Sequence, residues 1–350
     1  MSEPLNVFEY ESLAAAKLSD GAYAFYAGGA NDELTLRENV EAYRHWHLRP
    51  RVLRDVADVG ASVTVLGQEI SLPVLVAPMA YQRAAHPDGE VAMAHAAREA
   101  GTIMCHSTFA TATPAEVAAT GVERWFQLYV PRDEGLKREF CVQARELGFS
   151  ALVVTVDLPA VGRRERDLRS GWSVPRELMV PSVGLRGLKP HEFVAMVSPS
   201  VTWDDVESLA SAAGLPVVLK GILTAEDAVL ACEHGAAGIV VSNHGARQLD
   251  GVAATIDVLP EVVDAVAGRT EVLFDGGIRR GTDVVKALAL GASAVLAGRA
   301  PLWGLAVAGQ GGARHVLELL RAEVELALQL LGCRSPADLT RDHVRRAPLA

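Results

Sequence analysis

Between residues 74 and 297 the chain repeats one unit eight times: a short apolar run, a polar or glycine end, then an Ala/Leu-rich stretch of helical character. The runs are 74–77, 103–105, 125–129, 151–156, 217–219, 238–241, 271–274 and 294–297. Helical stretches fall at 89–100, 114–120, 134–147, 203–213, 224–234, 255–266 and 281–290. Strict alternation of this kind joins parallel strands by right-handed crossovers. Eight units over roughly 250 residues predict a (β/α)8 TIM barrel of the α/β class. An open doubly wound sheet is the alternative, but it normally carries G-x-G-x-x-G after an early strand, and the sequence has none.

Around that repeat the reading gives a single domain over 1–350, with the barrel at about 72–310. An N-terminal segment, 1–60, carries short helices over 6–47, with Asn6 and Asp32 as caps and a break at Gly28-Gly29. Residues 62–70 read as a β-hairpin turning near Gly67. A Pro/Arg-rich segment without clear periodicity, about 162–202, follows the fourth strand. Its length and its place on the catalytic side predict a lid. An amphipathic helix at 313–331 is expected to close the barrel.

Composition narrows the function. A net charge of −10 argues against a general nucleic-acid or anionic-membrane binder. Cys105, Cys141, Cys232 and Cys333 have no C-x-x-C spacing and read as reduced thiols, so no metal site is expected. There is no secretory leader, no membrane-length apolar run and no peroxisomal address in Pro348-Leu349-Ala350. A cytoplasmic protein is expected.

In a barrel the active site is built at the C-terminal ends of the strands. Those ends supply Pro78-Met79-Ala80, Ser107, Gln127 with Tyr129, Thr155 with Asp157, Lys220, Ser242 with His244, Asp275 with Gly277, and Gly298-Arg299. His244 and Arg247 suit a base beside an anion-binding cation, although a loop His and Arg can equally be solvated. Asp275-Gly276-Gly277-Ile278-Arg279-Arg280-Gly281 and Gly298-Arg299 combine close-turning backbone with Arg, in the order of a barrel's phosphate loops. Lys220, placed inward, needs an anionic partner. Reduced FMN would supply one, and amide and hydroxyl groups suit its ring edges. A phosphosugar or isoprenyl-diphosphate enzyme would share the same phosphate loops.

Several stretches resemble the FMN-dependent 2-hydroxy-acid oxidase and dehydrogenase family, which includes glycolate oxidase, lactate oxidase and mandelate dehydrogenase. They are Ser242-Asn243-His244-Gly245-Ala246-Arg247-Gln248-Leu249-Asp250, Phe274–Gly281, Val218–Gly221, Phe126–Tyr129, Thr155–Asp157 and Gly162–Glu165. The resemblance covers about residues 6–341, and its S-N-H-G-x-R-Q motif is specific. It implies that His244 is the base, paired with Asp157. It implies that Arg164 and Arg247 bind the substrate carboxylate and Tyr129 its oxygen, while Lys220 stabilises reduced FMN. Ala80, Ser107, Gln127, Thr155 and Ser242 should contact the flavin ring and ribityl group. Asp275 should hold the ribityl chain, with Gly277, Arg279, Gly298 and Arg299 around the phosphate. A homotetramer is also implied.

This sequence departs from that pattern in places. Phe25-Tyr26 stands where the family often has two tyrosines, Met79 where glycolate oxidases carry Thr, and Phe109 where they carry Trp. The expected pocket is more apolar than one fitted to glycolate and admits lactate, long-chain or mandelate-like acids. Tyr81-Gln82-Arg83 resembles bacterial hydroxymandelate oxidases. The loop after the fourth strand is too short and charged to resemble the membrane-inserting segment of mandelate dehydrogenase, and no haem-binding domain is expected before the barrel. O2 is therefore the expected oxidant, a quinone or protein acceptor the alternative, and a flavin isomerase a remoter one.

Overall fold

The computed structural model describes residues 3–181, 184–186, 192 and 195–347. Eight parallel strands close into a barrel: β1 Val74–Val76, β2 Met104–Ser107, β3 Arg124–Leu128, β4 Leu152–Thr155, β5 Val217–Ile222, β6 Gly238–Val241, β7 Glu271–Asp275 and β8 Ala294–Ala297. Each pairs with its sequence neighbours, and β8 returns to β1 through Val295–Val74 and Leu296–Leu75. Successive strand residues point to opposite faces. One set, including Val74, Phe126, Leu152, Leu219, Ile239 and Phe274, packs outward beneath the helices. The other, including Leu75, Cys105, Trp125, Val153, Val218, Val240 and Leu273, fills the barrel. Buried on both sides, the strands carry the near-continuous apolar runs of the repeat.

The expected hairpin forms from Val63–Val65 and Gln68–Ile70. Val65 and Ile70 join the inner cluster, and Leu66 N donates to the Glu271 carboxylate at the start of β7, 2.8 Å away. The hairpin thus stoppers the N-terminal end and leaves the C-terminal end for chemistry.

One expectation needs correction, and two segments gain detail. Asp32 does not cap the helix Leu34–Glu41: Glu33 holds that position at φ 58° without a side-chain cap. The orphan N–H groups of Leu34 and Thr35 instead donate to Asp250, at 3.3 and 2.9 Å. Asn6 does cap Val7–Lys17. The closing helix begins at Arg299, directly after β8, and runs to Leu331 through a kink at Ala308 and Gly309. The Pro/Arg-rich segment after β4 carries short elements of its own. It holds a helix, Glu165–Ser170, and a small antiparallel pair, Met179–Val180 with Leu185–Arg186. The remainder of that expected lid, and the Pro348-Leu349-Ala350 end, lie partly or wholly outside the described residues.

Candidate active site

The period of two that fills the barrel with apolar side chains also builds the site. Two residues beyond inward Cys105, Trp125, Val153, Val218, Val240 and Leu273 come Ser107, Gln127, Thr155, Lys220, Ser242 and Asp275. The apolar packing below therefore aims these polar groups into the mouth above. They bond to one another. Ser107 Oγ donates to Gln127 Oε1 (3.1 Å), and Gln127 Nε2 to Thr155 Oγ1 (2.9 Å). Lys220 Nζ donates to Ser242 Oγ and pairs with Asp275 Oδ2, each at 2.7 Å. Burial opposes the Lys220 charge, but Asp275 and Asp157 outweigh it and raise its pKa. Asp275 Oδ1 stays buried without a hydrogen-bond partner among the described residues.

Across the mouth, His244 Nδ1 lies 2.8 Å from Asp157 Oδ1, and its Nε2 lies 3.3 Å from the Tyr129 hydroxyl. Gly221 permits the approach of Asp157. It sits at φ 121°, in the register shift of β5, and a Cβ there would lie 2.7 Å from the Asp157 Cβ. Burial lowers the His244 pKa, against the pull of Asp157. Burial acts to raise Asp157, yet His244 and Lys220 hold it below its ordinary value. Burial, then Asp157, pushes the Tyr129 phenol up to about 12. At neutral pH the set is thus a neutral imidazole with Nε2 toward a neutral phenol and Nδ1–H toward a carboxylate. It can accept a proton at Nε2 and stabilise the resulting cation.

His244 stands in left-handed backbone, φ 58°, as does Ala246 at 63°. Such positions are strained for non-glycine residues and persist only when the surroundings impose them. Here Asn243 and Asn39 exchange two amide hydrogen bonds of 2.8 Å, His244 N donates to Ser242 Oγ, and Ala30 N donates to Ala246 O.

Arg164 enters from the loop after β4 and Arg247 from the loop after β6. Arg247 Nη1 donates to the Phe25 and Gly28 carbonyls, its guanidinium lies 4.7 Å over the Phe25 ring, and Nη2 is buried without a hydrogen bond among the described residues. Arg164 uses Nε on Arg247 O (3.1 Å) and Nη2 on Gln248 Oε1 (3.2 Å). Burial first, then Arg247, lowers the Arg164 pKa to about 9. Two buried guanidiniums so close favour an anion between them.

One cavity joins these parts. Its walls include Phe25, Pro78, Met79, Ala80, Tyr81, Phe109, Tyr129, Thr155, Arg164, Lys220, His244 and Arg247. The far end is lined by Asp275, Gly276, Gly277, Arg279, Gly298 and Arg299. Ser107, Gln127, Ser242 and Asp157 stand behind the walls, bonded to residues that form them. Arg299 also clamps loops together, through the Tyr26, Gly28 and Gly245 carbonyls. Sequence reasoning passed over Asn39, Trp172 and Asp167, and gave Tyr26 no role. Trp172 stacks on Phe25 at 4.5 Å, and the Tyr26 hydroxyl donates to Tyr81 O at 2.6 Å. Among the described residues no cluster of three or more His, Cys, Asp or Glu could hold a metal ion, and no helix is long and apolar enough to cross a membrane.

A family profile described as FMN-dependent dehydrogenase matches residues 14–346. The chain belongs to that family. An L-lactate oxidase of Nostoc sp. is 49% identical over 97% of both chains. Glycolate oxidase 3 of Arabidopsis thaliana is 48% identical over 98% of this chain and 96% of its own. A mandelate oxidase structure with (S)-4-hydroxymandelic acid superposes with a TM-score of 0.94 at 43% identity, covering 99% of this chain and all of that one.

As a member of that family the chain is an FMN oxidoreductase, and the residues present fit the cofactor. A run of amide, hydroxyl and ammonium groups leads from Gln127 to Lys220, and the orphaned Asp275 oxygen can receive a hydroxyl. Beyond lie glycine turns with two arginines. Gly277 is at φ 73°, and a Cβ there would fall 1.8 Å from Asn39 O, so the turn packs against the N-terminal segment without side-chain bulk. Burial and the neighbouring Arg247 and Arg279 lower Arg299 to about 9, which marks an excess of cation that an anionic phosphate would relieve.

Proposed function

We propose that this enzyme oxidises an (S)-2-hydroxy acid with an apolar or aromatic side chain to the 2-oxo acid, with O2 as acceptor and hydrogen peroxide as second product. The observation that carries this reading is one cavity lined by His244 and Tyr129, with Asp157 behind His244, by the Arg164–Arg247 pair and by an aromatic wall of Phe25, Tyr81 and Phe109. The lactate, glycolate and mandelate oxidases to which the chain is similar support it.

FMN, when bound, supplies the acceptor for the two electrons the substrate loses. The protein does the rest. Arg164 and Arg247 take the substrate carboxylate, a planar anion suited to forked guanidinium donors. The Tyr129 hydroxyl hydrogen-bonds the substrate oxygen. His244 Nε2 takes one of the two protons removed, and Asp157 stabilises the imidazolium through Nδ1–H. Lys220 would offer positive charge to the reduced cofactor, and Ala80, Ser107, Gln127, Thr155 and Ser242 would hold its ring and ribityl group. Pro78, Met79, Gly276, Gly277, Arg279, Gly298 and Arg299 complete the cofactor side. Phe25 and Phe109 face the substrate side chain, where glycolate would leave apolar surface unfilled.

An anaerobic stopped-flow screen of flavin bleaching against glycolate, lactate, long-chain 2-hydroxy acids and mandelate tests the substrate. The most apolar acids should bleach fastest, and a glycolate optimum overturns that assignment. Mixing the reduced enzyme with oxygenated buffer should give rapid reoxidation and peroxide. Slow reoxidation by O2 with fast reoxidation by a quinone analogue reassigns the acceptor.

A further inference from the structure

The helix Glu165–Ser170 begins beside Arg164 and carries a carboxylate that none of the chemistry above uses. Asp167 Oδ2 lies 3.9 Å from Arg247 Nη2, with side-chain exposures of 12% and 13%. That distance is too long for a hydrogen bond. Asp167 Oδ1 and Arg247 Nη2 are both buried and lack hydrogen-bond partners among the described residues. An ion pair left this incomplete, with both side chains largely withdrawn from water, is a poor stabilising device. Nor is it needed to hold the helix down. Arg166 bonds Glu33 at 2.5 Å, Trp172 stacks on Phe25, and Gly21 lets Trp172 pack so closely that a Cβ there would meet its ring at 2.5 Å.

We propose that Asp167 is a stand-in anion, a positioning residue that competes with the substrate carboxylate for the Arg164–Arg247 pair. The inference rests on the 2-hydroxy-acid reading above. In the free enzyme Asp167 balances part of the charge of two adjacent buried guanidiniums. Arg247 Nη2 remains uncommitted and ready to donate to an incoming carboxylate. Once that carboxylate arrives, Asp167 stays nearby and repels it. Substrate and product are both 2-substituted carboxylates, so the repulsion acts on each. It weakens binding and hastens departure of the product, which keeps the arginine pair from becoming a trap for anions.

The test is a spectral titration of the FMN holoenzyme with 2-phenylpropionate, which has no 2-hydroxyl to oxidise, and with its neutral amide. Asp167→Asn keeps the shape and removes the charge. It should tighten the carboxylate about tenfold, as expected for losing a like charge a few ångströms away in a partly desolvated site. The amide should move less than about twofold, since it carries no charge to repel. Asp167→Ala should tighten the carboxylate in the same direction, and with mandelate KM and kcat should fall together as product release slows. Unchanged or weaker carboxylate binding in both variants overturns the inference, as does equal tightening of acid and amide. A wild-type holoenzyme that binds no carboxylate overturns the 2-hydroxy-acid reading and takes this inference with it. The two failures are thereby distinct.

Discussion

The two ends of the barrel are made by the same strands and differ in almost everything else. At the N-terminal end Trp125, Val218 and Leu273 meet the hairpin residues Val65 and Ile70 in a sealed apolar plug. At the C-terminal end Gln127, Lys220 and Asp275, each two residues further on, form a buried polar mouth. At one end the strands pack inward through apolar side chains. They can hold charged groups in fixed positions at the other because that packing is already paid for below. Stability and chemistry are thus separated along each strand by a single step of the pleat.

Substitutions at the two ends should therefore fail differently. His244→Asn should slow anaerobic flavin bleaching by about 10²–10⁴-fold, the range for a general base, and barely move the melting temperature. Bleaching at the wild-type rate with normal substrate binding would remove His244 from its assigned role. Trp125→Ala should do the reverse. Loss of a fully buried indole costs about 3–5 kcal/mol in denaturant unfolding, while the fraction still folded should bleach normally. If that fraction is inactive, the two ends are not separable.

Finer changes sharpen the contrast within the mouth. Arg164→Lys and Arg247→Lys should each cost about 1.5–3 kcal/mol in substrate binding, read as a raised Kd, with FMN retention unaltered. Asp157→Asn should lower the plateau of the bleaching rate by less than His244→Asn does. It should also move the acid limb of the pH profile. Burial already lowers His244, so the base is free through neutral pH and bleaching declines only in acid. Asp157 raises that imidazole, and without it the limb should shift to still lower pH. A shift upward would mean that the limb belongs to another group.

The smallest effect concerns His106, on the outer face of β2 among Phe126 and Phe149, with both ring nitrogens buried and unpartnered among the described residues. Burial lowers its pKa to about 3. The folded state refuses a proton that the unfolded chain accepts near pH 6.5. Its stability is therefore intact above that pH and is lost as the pH falls toward the folded value, on the order of 1 kcal/mol per pH unit. His106→Leu should remove that loss, and thermal melts at pH 8 and pH 5 should differ less than in the wild type.

The barrel was legible because parallel strands covered on both faces leave uninterrupted apolar runs, and because strand ends can be read off those runs. The inward polar residues followed from the same period. What escaped were contacts made across the chain. Asp250 caps a helix begun at Leu34, so the nearby Asp32 was a reasonable but wrong choice. Asn39 meets Asn243 across 204 positions, with no local pattern to announce it. The helix Glu165–Ser170 is short and charged, with no buried residue and hence no apolar stripe to detect. Asp167 and Trp172 were hidden with it.

The Asn39–Asn243 pair has a kinetic consequence. The strained backbone around His244 depends on a partner 204 positions earlier in the chain, and contacts of such sequence separation form slowly. During refolding from denaturant the strands can register before residues 28–43 dock on the loop. Far-ultraviolet circular dichroism should then recover ahead of turnover, and the lag should lengthen in Asn39→Ala, which removes both amide bonds at once.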